Sequence, residues 1–137
     1  MSVKLNGVYI GNKKVEMTHG PSGVILITDA PKDNAGDDSS FSPTDLVGAA
    51  LGSCMLTTML IYAMRNRIKL KGAHFEVEKH MLADPRRIGA IQIAIHLPIN
   101  VDREHRVVLE RVAKKCPVKR SLHPDLDAEV KFVYDVE

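Results

Sequence analysis

At 137 residues the chain has the length of one domain, 1–137, and can bury about two thirds of its unfolded surface. Its net charge of +2 comes from interspersed signs, and it holds three Phe, three Tyr and no Trp, which argues against a nucleic-acid partner read through a basic stripe or stacked bases. No apolar segment follows the single lysine of Met1–Asn6, so no signal peptide is expected and the protein reads as cytoplasmic. In such a compartment two cysteines are either two buried thiols or a redox pair.

Residues 2–30 read as three short strands. Val3, Leu5 and Tyr9 alternate with Lys4 and Asn6. Val15 and Met17 alternate with Lys14, Glu16 and Thr18 after a turn at Asn12-Lys13. Beyond the turn Gly20-Pro21-Ser22-Gly23, Val24 to Ile27 reads as a more buried strand. Residues 31–43 form a polar loop, long for a compact domain; it reads either as a flexible crossover or as a functional segment.

A helix begins at Ser42-Pro43-Thr44-Asp45. Ser42 suits the N-cap, Pro43 the first helical position, and Asp45 the acid of a capping box. Leu46 to Met64 carries no charge, and Cys54 sits within it. About 22 residues span roughly 33 Å. A helix apolar all round is buried or lies in lipid. Ser53, Cys54, Thr57, Thr58 and the small residues Gly48 to Ala50 favour a buried central helix over a membrane span. Gly48 and Gly52 then mark a close approach of another backbone.

Two long strands follow. Ala73, Phe75, Val77 and Met81 share one face of 72–82, opposite His74, Glu76, Glu78 and His80. After Asp84-Pro85-Arg86-Arg87, Ile91, Ile93, Ile95, Leu97 and Ile99 line one face of 88–99, opposite Gln92 and His96. Residues 103–115 form an amphipathic basic helix with Asp102 as N-cap. Arg103, Arg106, Arg111, Lys114 and Lys115 read as its solvated face. Pro117 breaks the run after Cys116, a short turn reaches Leu122, and Asp127–Val136 is the last strand, with Ala128, Val130, Phe132, Tyr134 and Val136 on one face. The order βββ-α-ββ-α-β describes an α+β fold with antiparallel sheet.

Cys54 and Cys116 are the chemical candidates. Burial in an apolar helix would make the Cys54 thiol inert, whereas the helix start at Pro117 would favour a thiolate at Cys116. From the residues alone, two unrelated buried cysteines are the favoured reading, since their spacing carries no motif. No Cys/His spacing of a zinc site is present. The histidines read as exposed strand residues; His123, close after Cys116, could tune it.

The stretch Ser42-Pro43-Thr44-Asp45-Leu46-Val47-Gly48-Ala49-Ala50-Leu51-Gly52-Ser53-Cys54 resembles the first signature of the OsmC/Ohr superfamily, the osmotically inducible and organic-hydroperoxide-resistance proteins. Cys116-Pro117-Val118, with the turn and strand that follow, resembles the second. The resemblance implies an OsmC-like fold and an intertwined homodimer whose two central helices lie between sheets from both chains. It implies a thiol peroxidase needing no metal or cofactor. Cys54 would attack a small hydroperoxide, its sulfenic acid would condense with Cys116, and a small dithiol or dithiol protein would reduce the disulfide.

The sequence departs from the family pattern at the groups that activate the first cysteine. No arginine precedes Arg65, and the nearest basic residue is Lys32. The family's glutamate position is Thr44; the acid, Asp45, comes one residue later. At about 100° per residue, Thr44 lies about 80° from Cys54 around the helix and Asp45 about 180°. Asp45 is therefore better placed to cap than to touch Cys54, and Lys32 lacks arginine's planar fork. Thr44, Asp45 and Lys32 are candidate supports. The alternative is a small-molecule-binding dimer with little or no turnover.

Overall fold

The computed structural model describes residues 1–137. The chain divides into two compact units, Met1–Val47 and Gly48–Glu137.

In the first unit, β1 (Leu5–Gly11), β2 (Lys14–His19) and β3 (Ile25–Thr28) form an antiparallel sheet in that order. Asn12 and Lys13 both take positive φ, 50° and 62°, the conformation that a two-residue hairpin turn demands. The expectation of a buried third strand is corrected. Ile25 and Leu26 are exposed, and burial begins only at Thr28 and Asp29. An apolar run signals that something covers it, and this unit supplies no second layer.

The loop after β3 is held rather than free. Lys32–Asn34 makes a 3-10 turn, and Asp29 N–H donates to Phe41 O at 3.1 Å. The buried Asp29 carboxylate accepts from Ser39 N–H at 3.0 Å and from Ser39 Oγ at 2.6 Å. Asn12 and Lys14 both donate to Asp37. Helix α1 (Pro43–Arg65) then starts on a reciprocal box. Ser42 N–H donates to Asp45 Oδ2 at 2.9 Å, and Asp45 N–H to Ser42 Oγ at 3.1 Å.

In the second unit, β4 (His74–Leu82), β5 (Arg87–Pro98) and β6 (Asp127–Val136) form a sheet in that order, with α2 (Arg103–Ala113) and α3 (Pro117–Ser121) between β5 and β6. β4 and β5 pair antiparallel, as expected. β6 instead joins β5 in parallel, which corrects the all-antiparallel reading. The two intervening helices form the crossover that a parallel connection needs.

The core faces Ile91, Ile93, Ile95 and Leu97 of β5, all buried. Ile99, expected to continue that row, lies beyond the strand and is exposed. The body of α1 buries a single stripe, Gly48, Leu51, Gly52, Met55, Met59 and Ala63. A Cβ on Gly52 would lie 2.6 Å from the Phe75 ring, and one on Gly48 3.2 Å from Val77. The glycines thus admit side chains of β4, not another backbone. The opposite side of α1 is open: Leu60, Ile61 and Met64 are exposed. The helix was expected to be buried all round, but one chain covers one side of it. Its length and hydropathy would suffice for a membrane span, yet its stripe packs on β4 as a core helix does.

Candidate functional site

Cys116 closes α2 and opens α3. Its N–H donates to Ala113 O at 3.3 Å, its backbone is extended, and Pro117 occupies the first helical position behind it. Its Sγ accepts from Lys119 N–H at 3.4 Å, so the thiol itself is the N-cap.

Cys116 is fully buried, and burial is the largest cause that raises its pKa above the ordinary 9.0. The Lys119 amide works against this. The neighbouring Cys54 thiol adds to the rise through a hydrogen bond and through charge. The helix-start argument for a Cys116 thiolate is therefore overturned. α3 is barely one turn long, and desolvation outweighs its dipole. Cys116 is suited to hold a proton.

Cys54 lies half-buried on α1, next to Cys116, and both are free thiols. Its carbonyl accepts from Thr58 Oγ1 at 2.8 Å, one turn on. Near the pair, Met55, Lys114, Lys119, Ala128, Glu129 and Val130 line a cleft of about 450 Å³. Met55 follows Cys54 in the chain, and Lys119 supplies the amide on Cys116.

The other sequence candidates have plainer roles. Asp45 caps α1, and the Thr44 hydroxyl stands 3.2 Å from that of Ser42. Lys32 is exposed on the 3-10 turn of the loop. His123 is exposed, and its Nδ1 accepts from Asp125 N–H at 3.0 Å, so nothing here couples it to Cys116.

One assignment to solvent fails. Arg106 donates from Nε to Val101 O at 2.7 Å and from Nη2 to Ile99 O at 2.8 Å. Its guanidinium lies 4.0 Å from the Tyr134 ring centroid, and Tyr134 Oη donates to Glu110 at 2.8 Å. Burial, then Glu110, pushes the Tyr134 pKa well up. This network fixes α2 on β6, and α2 carries the chain to Cys116. The i,i+4 spacing of Arg106 and Glu110 was the available signal.

Residues 36–131 match the family model for OsmC-like protein. The chain belongs to the OsmC-like family. A protein from Psychrobacter arcticus, provisionally described as an osmotic stress induced and detoxification response protein, is 39% identical over 93% of both chains, with a TM-score of 0.89. The organic hydroperoxide resistance protein OhrB of Bacillus subtilis shares the fold at 17% identity and a TM-score of 0.70, over 96% of this chain and 98% of its own. An OsmC organic hydroperoxide resistance protein from Legionella pneumophila does so at 14% and 0.77, over 97% of each. No curated protein matches the chain. The OsmC-like α+β architecture, two three-stranded sheets with a long helix, is thus established for this chain.

Proposed function

We propose that this OsmC-like protein is a thiol-dependent peroxidase that reduces small organic hydroperoxides or peroxide in oxidative-stress defence, through Cys54 and Cys116. The observation that carries the reading is the neighbouring pair of free thiols, with the buried member kept protonated. The hydroperoxide-resistance names of its structural relatives support it.

The Cys54 thiolate attacks one oxygen of the peroxide, the O–O bond breaks, and the leaving alkoxide takes a proton to become an alcohol. Cys54 is then a sulfenic acid. The Cys116 sulfur displaces its hydroxyl as water, forming the disulfide. A dithiol reductant attacks that disulfide, leaves as its own disulfide and restores both thiols. In all two electrons pass, from the dithiol through the Cys54–Cys116 disulfide to the peroxide, and the chemistry asks for no metal or cofactor.

The functional unit is proposed to be one domain, 1–137, in a cytoplasmic homodimer. The family match crosses the boundary between the two compact units, which supports one domain. The exposed apolar side of α1 and the exposed Ile25 and Leu26 support a dimer.

A second reading has its own observation. Asp45 is engaged as a cap and Lys32 is exposed, so neither takes the part of the family's acid and arginine. This favours a dimer that binds a small molecule with weak turnover. Steady-state hydroperoxide reduction with dihydrolipoamide and with a monothiol separates the two. Turnover with the dithiol that is lost in Cys54→Ser is expected. A wild type no faster than Cys54→Ser would leave the binding reading.

A further inference from the structure

The outer face of the β4-β5-β6 sheet carries a cluster that the thiol chemistry does not use. Cross-strand register sets His74 of β4 directly opposite His96 of β5. The two rings stack with centroids 4.6 Å apart and planes 4° from parallel. Glu76, two residues along β4, projects from the same face. One ligand-type atom from each of the three lies within 4.8 Å of the other two.

The tautomers follow from what the Nδ1 atoms touch. His74 Nδ1 is 3.0 Å from Gly72 O, and His96 Nδ1 is 2.9 Å and 3.0 Å from the two oxygens of Asp135. A carbonyl and a carboxylate only accept, so each Nδ1 carries a hydrogen. In the neutral rings the lone pair is then on Nε2. His96 Nε2 is buried and makes no hydrogen bond, and Glu76 Oε1 stands 3.5 Å from it. A lone pair facing a carboxylate is repulsive, and a cation shared between them removes the repulsion.

Two donors on a tetrahedral zinc, each at about 2.0–2.1 Å, are about 3.3 Å apart. His96 Nε2 and Glu76 Oε1, 3.5 Å apart, already stand near that spacing, and the His74 ring has to turn in from within 4.8 Å to complete the set. Imidazole nitrogens select zinc, nickel or copper over calcium or magnesium. A carboxylate behind a histidine is the usual outer partner that fixes a metal-binding tautomer. Glu78 and Glu129 lie further along the same face, with Lys131 between β6 neighbours, so the surroundings are acidic.

We infer that His74, Glu76 and His96 bind a divalent transition-metal ion of the zinc class, with Asp135 as the residue that positions His96. Three protein ligands leave a coordination position open. Small Ala94, opposite Glu76 and Lys131 in the register, leaves a cleft of about 570 Å³ that Glu76 lines. Water or a small anion can reach the ion from there.

The test uses the full chain carrying Cys54→Ser and Cys116→Ser, so that thiols cannot bind the probe. Zinc chloride is titrated in competition with a chromophoric chelator, and cobalt(II) is used for spectroscopy. One zinc per chain is expected, with visible absorption of a four-coordinate cobalt ion. Affinity should fall at least about 10-fold in His74→Gln and in His96→Gln, and about 10–100-fold in Asp135→Asn, which keeps all three ligands. Thermal melts check that each variant is folded; should His96→Gln unfold, His74→Gln decides alone. Absence of zinc binding at micromolar concentration would overturn the site and leave an imidazolium–carboxylate cluster. Binding that survives the histidine substitutions would overturn it equally.

Discussion

Asp29 keeps its charge in a buried place because three groups serve it. Ser39 contributes its hydroxyl first and its amide second, and Lys14 Nζ lies 3.5 Å away. Together they hold the carboxyl down to about 2 from the ordinary 3.8, against a burial that would raise it. The folded chain thus binds this proton less readily than the unfolded one. The stabilisation is complete above the ordinary value and is lost as the pH falls to about 2. Melting temperature followed from pH 5 to pH 2 should show an acid limb that is shallower in Asp29→Asn. An unchanged limb would mean that other carboxylates set the acid stability. Asp45 makes a different contribution. As a capping residue its replacement by alanine should cost about 1 kcal/mol and leave the rate of Cys54 alkylation unchanged. A large fall in that rate at unchanged stability would make Asp45 part of the thiol chemistry. The cap was legible from Ser42 and Asp45 because its logic is local. The histidine cluster was legible only as strand faces, with His74 and His80 on one strand and His96 on the next, because the register that sets His74 opposite His96 is not written in their spacing.

At the scale of elements, the helix–strand contact depends on the missing side chain of Gly52. In an open helix, glycine to alanine would gain about 1 kcal/mol. Here the new Cβ would sit 2.6 Å from two carbons of Phe75. Gly52→Ala is expected to destabilise by about 1–3 kcal/mol, while Gly48→Ala, 3.2 Å from Val77 at closest, should be milder. Urea denaturation of both variants checks this; a stabilised Gly52→Ala would show that β4 yields freely. The alternation of Phe75, Val77 and the isoleucines of β5 revealed the hairpin and its inner face, since a period of two follows from the pleat. The parallel entry of β6 left no such mark. Alternation tells which residues share a face and is silent on strand direction, which the helices from α2 to α3 decide.

Across the whole molecule, the feature that most resists a single-chain account is the uncharged α1. It buries one stripe and leaves Leu60, Ile61 and Met64 exposed, while Ile25 and Leu26 stand open on β3. A homodimer at micromolar concentration is therefore expected in sedimentation, and a stable folded monomer there would count against it. The absence of charge from Leu46 to Met64 was readable in the chain; which side is covered by what was not, because hydropathy does not distinguish neighbours. The two cysteines were readable as well. That Cys116 holds its proton was not, because burial, which no spacing encodes, raises its pKa. The most direct measurement is mass spectrometry of protein treated with one equivalent of an organic hydroperoxide. The wild type should show a Cys54–Cys116 disulfide that a dithiol reverses, Cys116→Ser a trappable sulfenic acid on Cys54, and Cys54→Ser a largely reduced Cys116. A wild type that never forms that bond, or a Cys116 that oxidises first, would contradict the account.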